Sequence, residues 1–97
     1  MLNILYTELA EQDLFNLFEI ISKDKPTVAV EYITKLEKHI ELLQYNPELG
    51  LECKNKNINK DCRILIYEDY LIFYRTSNKE IHIIRILNSR TNYTNKI

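Results

Sequence analysis

The hydrophobic period changes once along this chain, and that change restricts the fold more than any other feature. From Glu8 to Leu43 apolar residues recur at threes and fours; from Cys62 to Leu87 they fall in short runs rich in Ile, Tyr and Phe. The first period belongs to helices with one buried stripe, the second to strands in a sheet. Helices grouped ahead of strands give an α+β architecture rather than an alternating one. Ninety-seven residues suffice for one core, so residues 1–97 are expected to form a single domain.

Local signals divide the chain further. Residues 2–6 (LNILY) read as a first strand, and Thr7 as the N-cap of a helix carrying Ala10, Leu14, Leu17, Phe18 and Ile21 on one side. The segment Ser22–Pro26 ends that helix. Asp24 is expected to cap the next one, with Pro26 in its first turn, where a missing N–H does no harm. Ala29, Ile33, Leu36, Ile40 and Leu43 draw a second apolar seam, stopped by Asn46-Pro47. A polar loop at 52–60 precedes three strands at 62–67, 70–76 and 81–87, and a polar tail follows from Asn88. The expected fold is β-α-α-β-β-β, a two-helix hairpin packed on one face of a small antiparallel sheet.

No apolar run approaches the ~20 residues of a membrane span, and the opening MLNILYTELAEQ lacks the basic start of a signal peptide. A cytoplasmic protein without membrane contact is expected. Cys53 and Cys62 lie nine positions apart, a spacing that fits no zinc pattern, and in a reducing compartment they are expected as free thiols. Neither metal nor cofactor is implied.

Charge is unevenly distributed. The net charge of −1 combines −6 over residues 1–52 with +5 over residues 53–97, so the second half is suited to an anionic partner. Alternation along the strands assigns Ile64, Ile66, Ile72, Tyr74, Ile84 and Ile86 to the face beneath the helices. The opposite parity mixes Arg63, Arg75 and Arg85 with Leu65, Tyr67, Leu71, Phe73, Ile81, Ile83 and Leu87. Two helices cover one face, so this mixed face is expected to be bare and to receive a partner.

No HExxH, glycine-rich phosphate loop or GxSxG is present, and a single glycine argues against the last two. His39 and His82 have no acid or nucleophile tied to them by spacing. Arg63, Arg75, Arg85 and Arg90, with Tyr67 and Tyr93, are the groups able to act on an anion.

Four short pieces carry a resemblance: Ala10-x-x-Asp13-Leu14, Asn46-Pro47-x-x-Gly50, Arg63 opening the second strand, and Arg85-Ile86-Leu87-x-x-Arg90. Within LAEQDL, AVEYITKLEKHIELLQYNPELG, CRILIYEDYLIFYR and IHIIRILNSR, they make the chain similar to the RelE/ParE superfamily of bacterial type II toxins over nearly its full length. The resemblance leans to the ParE branch, because Leu71 stands where an RNA-cleaving relative would carry arginine and Lys96 where it would end in tyrosine. It implies a toxin, in a plasmid-stabilisation setting, that inhibits DNA gyrase and is neutralised by a cognate antitoxin. Operator DNA would be reached only through that antitoxin. Two alternatives stay open: a RelE-like ribosome-dependent mRNA endonuclease using Arg63, Arg85, Arg90 and Tyr93, or a non-toxic antitoxin-binding module. Target contacts are expected at Arg63, Arg75, Arg85, Arg90 and Tyr93, and antitoxin contacts at Leu65, Tyr67, Phe73 and Ile83.

Overall fold

The computed structural model describes residues 1–97. Strand β1 (Asn3–Tyr6) leads into α1 (Glu8–Ser22) and α2 (Pro26–Glu41), followed by β2 (Leu51–Glu52), β3 (Arg63–Tyr67), β4 (Tyr70–Thr76) and β5 (Glu80–Asn88). All five strands join one sheet in the order β1-β5-β4-β3-β2. The expected order is present, with a two-residue strand added at one edge. The sheet is mixed rather than antiparallel, because β1 lies parallel to β5. Such a pair needs a long crossover, which the helices and the meander supply.

Helix α1 starts where Thr7 Oγ1 accepts the Ala10 N–H at 3.1 Å. Asp24 does not cap α2. Its own N–H still bonds back to Ile21 at the end of α1, and Lys25 takes the N-cap position with no side-chain bond. Pro26 opens α2, and a 3-10 turn at Leu42–Gln44 carries the chain to the Pro47 stop. Leu36, Ile40 and Leu43 of the second seam are fully buried with Ala10 and Leu17 of α1 against Leu65, Ile72, Tyr74, Ile81, Ile83 and Ile86. Each large side chain in that set contributes roughly 1.5–3 kcal/mol by leaving water.

The face assignment needs correction in β3 and β5. Ile64, Ile66 and Ile84 do not reach the helix-side core, while Leu65, Ile81 and Ile83 do. Two features cause this. The tight β3–β4 turn pairs Leu65 with Ile72 and Ile64 with Phe73, so core parity is odd in β3 and even in β4. Between β4 and β5, Phe73 faces Arg85 but Tyr74 faces Ile83, leaving Ile84 as the extra residue of a bulge. A one-residue bulge exchanges inward and outward positions on either side of itself. Ile83 and Ile86 can therefore share one face.

The opposite face is not bare. Ile64, Leu71, Phe73 and Leu87 form a second buried cluster with Cys53, Ile58 and Cys62, flanked by Ile84, Tyr93 and Ile97. The loop at 53–62 and the tail at 88–97, both polar on average, put their few apolar residues underneath and cover the sheet. Phe73 is fully buried beneath them. Cys53 and Cys62 are joined as a disulfide, not free thiols, with Cα atoms 5.3 Å apart.

Candidate functional site

Two side-chain latches hold the sheet to the segments around the helices, and they engage two of the four arginines that sequence reasoning assigned to a partner. The first gathers around the turn after α2. Tyr74, entirely buried, donates its hydroxyl proton to Pro47 O at 2.8 Å and accepts the Gly50 N–H at 2.9 Å. Burial pushes that phenol above its ordinary value, opposed by the Gly50 bond and by Arg63. Arg63 donates to Gly50 O at 2.8 Å and reaches Glu52 Oε1 at 3.5 Å. The only glycine is here for space: a Cβ on Gly50 would lie 2.7 Å from Ile64 O and 2.8 Å from the Tyr74 ring. Gly50→Ala is therefore expected to lower stability by about 1–3 kcal/mol in urea unfolding, through overpacking.

The second latch ties α1 to the bulge. Thr7 Oγ1, besides capping α1, donates to Ile84 O at 2.8 Å. Beyond Ile83 the outer edge of β5 has no partner in β1, and Asp13 fills the gap by accepting the Ile86 N–H at 2.9 Å. Both Asp13 oxygens also accept from Arg85, Nε and Nη2 each at 2.9 Å. That bidentate pair holds the Arg85 guanidinium above its ordinary pKa. Arg85 further donates to Lys96 O at 3.3 Å, joining the tail to the latch.

Arg75 and Arg90 remain exposed. Arg75 donates Nε to Asp61 O at 3.0 Å and steadies the loop. The Arg90 backbone N–H is held by Asn88 Oδ1 at 2.9 Å, and its guanidinium has no partner in the chain. Tyr93 lies against Phe73, ring centroids 5.5 Å apart. Arg63 pairs across the sheet with Tyr74, and Arg85 with Phe73, on which Tyr93 packs, so Arg63 and Arg85 lie in separate settings. No cluster of three His, Cys, Asp or Glu is arranged to hold a metal, and no helix is long and apolar enough to cross a membrane.

The expected antitoxin residues separate similarly. Leu65 and Ile83 belong to the helix-side core and Phe73 to the second cluster, so none of the three offers its side chain as free surface. Tyr67 stays half-exposed, 5.0 Å from His39 and 5.9 Å from Tyr32, at the open end of β3. Sequence reasoning missed the surface beside it. β2 pairs only with Arg63 and Ile64, leaving the outer edge of Leu65–Tyr67 without a strand partner. Next to that edge is an apolar recess of about 260 Å³ lined by His39, Leu49, Leu51 and Ile66 among others. The one available signal was the shortness of the apolar stretch before the polar loop, too brief to cover a five-residue strand.

Comparison with known proteins bears on these features together. Curated protein sequences give no significant match. Among solved structures, a chain of the chromosomal ParDE toxin–antitoxin system from P. aeruginosa superposes with a TM-score of 0.72 at 21% identity, over 91% of this chain and 96% of that one. At that identity the likeness establishes the fold. A family model described as the ParE toxin of type II toxin–antitoxin system, parDE, matches residues 4–93, a span that takes in both latches, the open β3 edge and the tail as far as Tyr93. The chain belongs to the ParE family of type II toxins.

Proposed function

We propose that this toxin inhibits DNA gyrase and is neutralised by a cognate antitoxin whose extended segment pairs with the open edge of β3. The observation that carries the first half is the dispersal of the arginines. A RelE-like endonuclease of the kind expected from the sequence would gather its basic groups and tyrosine around one phosphate. Here Arg63 is engaged at Gly50 and Arg85 at Asp13, in separate latches, and Leu71 is buried. A binding toxin needs only a charged surface. The exposed cations Lys54, Lys56, Lys60, Arg75, Arg90 and Lys96 lie on the loop, the end of β4 and the tail, with Arg90 free to contact an acidic patch.

Strand addition suits the second half. An unpaired edge offers backbone donors and acceptors, and Leu49, Leu51 and Ile66, each more than two-fifths exposed, receive alternate side chains. Tyr67 is retained from the expected antitoxin contacts. The test adds purified protein to gyrase supercoiling reactions and, separately, to translating ribosomes with primer extension on the message. Gyrase inhibition without transcript cuts is expected, with Arg90→Ala weakening it roughly tenfold, about 1.4 kcal/mol of charge-assisted contact. Codon-positioned cuts would reverse the assignment, and silence in both assays would leave a non-toxic antitoxin partner.

A further inference from the structure

The disulfide sits at the neck of the loop that covers Phe73. Glu52 and Arg63 form the last ladder pair of β2 and β3, and one residue further Cys53 donates its N–H to Cys62 O at 2.9 Å. Strand pairing thus keeps the two sulfur-bearing residues adjacent whether or not they are bonded. Below the neck, Ile58, Cys53 and Cys62 pack on Ile64, Leu71 and Phe73. The same loop anchors the tail: Lys60 Nζ donates to Ile97 O, and Tyr93 and Ile97 close the cluster from the other side. A recess of about 430 Å³ opens beside the disulfide, lined by Lys54, Lys60 and Arg63 with Glu52 and Asp61. Three cations against two carboxylates favour an anionic reagent in that recess, which both cysteines help to line.

We propose that Cys53 and Cys62 form a reversible redox site, oxidised by low-molecular-weight disulfides of the glutathione class, that sets whether the loop and tail stay closed over Phe73. One cysteine thiolate attacks a sulfur of the reagent; the reagent's S–S bond breaks, a mixed disulfide forms, and one reagent thiolate leaves. The second cysteine gives up its proton and attacks the protein sulfur of that mixed disulfide, forming the Cys53–Cys62 bond and releasing the second reagent thiolate. Two electrons pass from the dithiol to the reagent, which ends as two thiols. Reduction reverses the sequence and leaves the neck to the short β2 ladder, the Cys53–Cys62 backbone bond and the Arg63–Glu52 contact. The helix-side core shares no residue with this cluster and stays intact. Closure of the loop and tail is read structurally and is independent of the cellular target.

The test equilibrates the full chain in buffers of varied reduced-to-oxidised glutathione ratio, traps thiols for mass measurement, and follows amide hydrogen exchange. Expected are a reversible dithiol–disulfide transition and, on reduction, at least about a tenfold loss of protection in 53–62 and 89–97 with α1 and α2 unchanged. The paired variant Cys53→Ser with Cys62→Ser should show the reduced pattern in every buffer. A dithiol that resists excess oxidised glutathione overturns the proposal. So does a reduced chain whose tail exchanges as before, or one whose α1 and α2 lose protection too, since the bond would then be a structural staple.

Discussion

Phe73→Glu is expected to unfold the chain at neutral pH, whereas Ile66→Glu, on the same face of the sheet, leaves it folded. Phe73 has no exposed surface, while Ile66 is 46% exposed. Removing a buried Phe side chain alone costs about 3–5 kcal/mol. Burying a carboxylate without a partner adds several more, against a total stability of about 5–15 kcal/mol for a domain of this kind. The sign of the pH effect follows from burial. The introduced carboxyl would have a folded-state pKa raised above its unfolded value near ~4.3. Its penalty is complete above the folded pKa and disappears below the unfolded one, so the variant regains structure as pH falls from neutrality toward ~4. Circular dichroism with urea titration at the two pH values reads this directly. A Phe73→Glu chain with the parent midpoint at pH 7 would mean that the loop and tail do not cover the sheet. Ile66→Glu should stay within about 0.5 kcal/mol of the parent and lose antitoxin binding, which separates folding from docking on one sheet face.

The order of elements was legible because each rests on local chemistry: Thr7 before α1, Pro26 in the first turn of α2, the Leu36–Ile40–Leu43 seam and the Asn46-Pro47 stop. What escaped is non-local. No periodicity reports that Ile84 is an extra residue, because the bulge is fixed by the Thr7 hydroxyl on the Ile84 carbonyl, 77 positions away. Nor does a polar loop disclose that Ile58, Tyr93 and Ile97 turn inward together. The disulfide escaped for a different reason, an argument from compartment applied where the neck geometry decides.

The four motif pieces that looked separate in sequence prove to be two pairs in space. Gly50 and Pro47 are bonded by Arg63 and Tyr74, and Asp13 is bonded by Arg85. Spacing could identify these residues but not their partners, so the arginines read as outward-facing. Two of the four are engaged within the fold instead, and the proposed partner-facing surface narrows to the recess beside β3 and to the exposed cations of the loop, the end of β4 and the tail.

The second latch makes the largest demand on a single exposed-looking acid. Asp13 is 10% exposed at its side chain and Arg85 15%, so the pair is screened far less than a surface ion pair worth about 0–1 kcal/mol. Asp13→Ala removes three acceptor contacts at once and leaves both a guanidinium and the Ile86 N–H without partners at an edge β1 does not reach. The expected loss is about 3 kcal/mol, or roughly 15 °C in melting temperature for a domain of this size. Asp13→Asn, which keeps one carbonyl acceptor, should fall between parent and Asp13→Ala. Arg85→Ala should cost less, because the remaining carboxylate keeps the Ile86 N–H and meets water at its free edge. Combining Asp13→Ala with Arg85→Ala should destabilise by less than the sum of the two, since the second change removes the orphaned cation. Strict additivity would show that the pair is not coupled. A loss of gyrase inhibition by Arg85→Ala larger than its effect on stability would return Arg85 to the target surface.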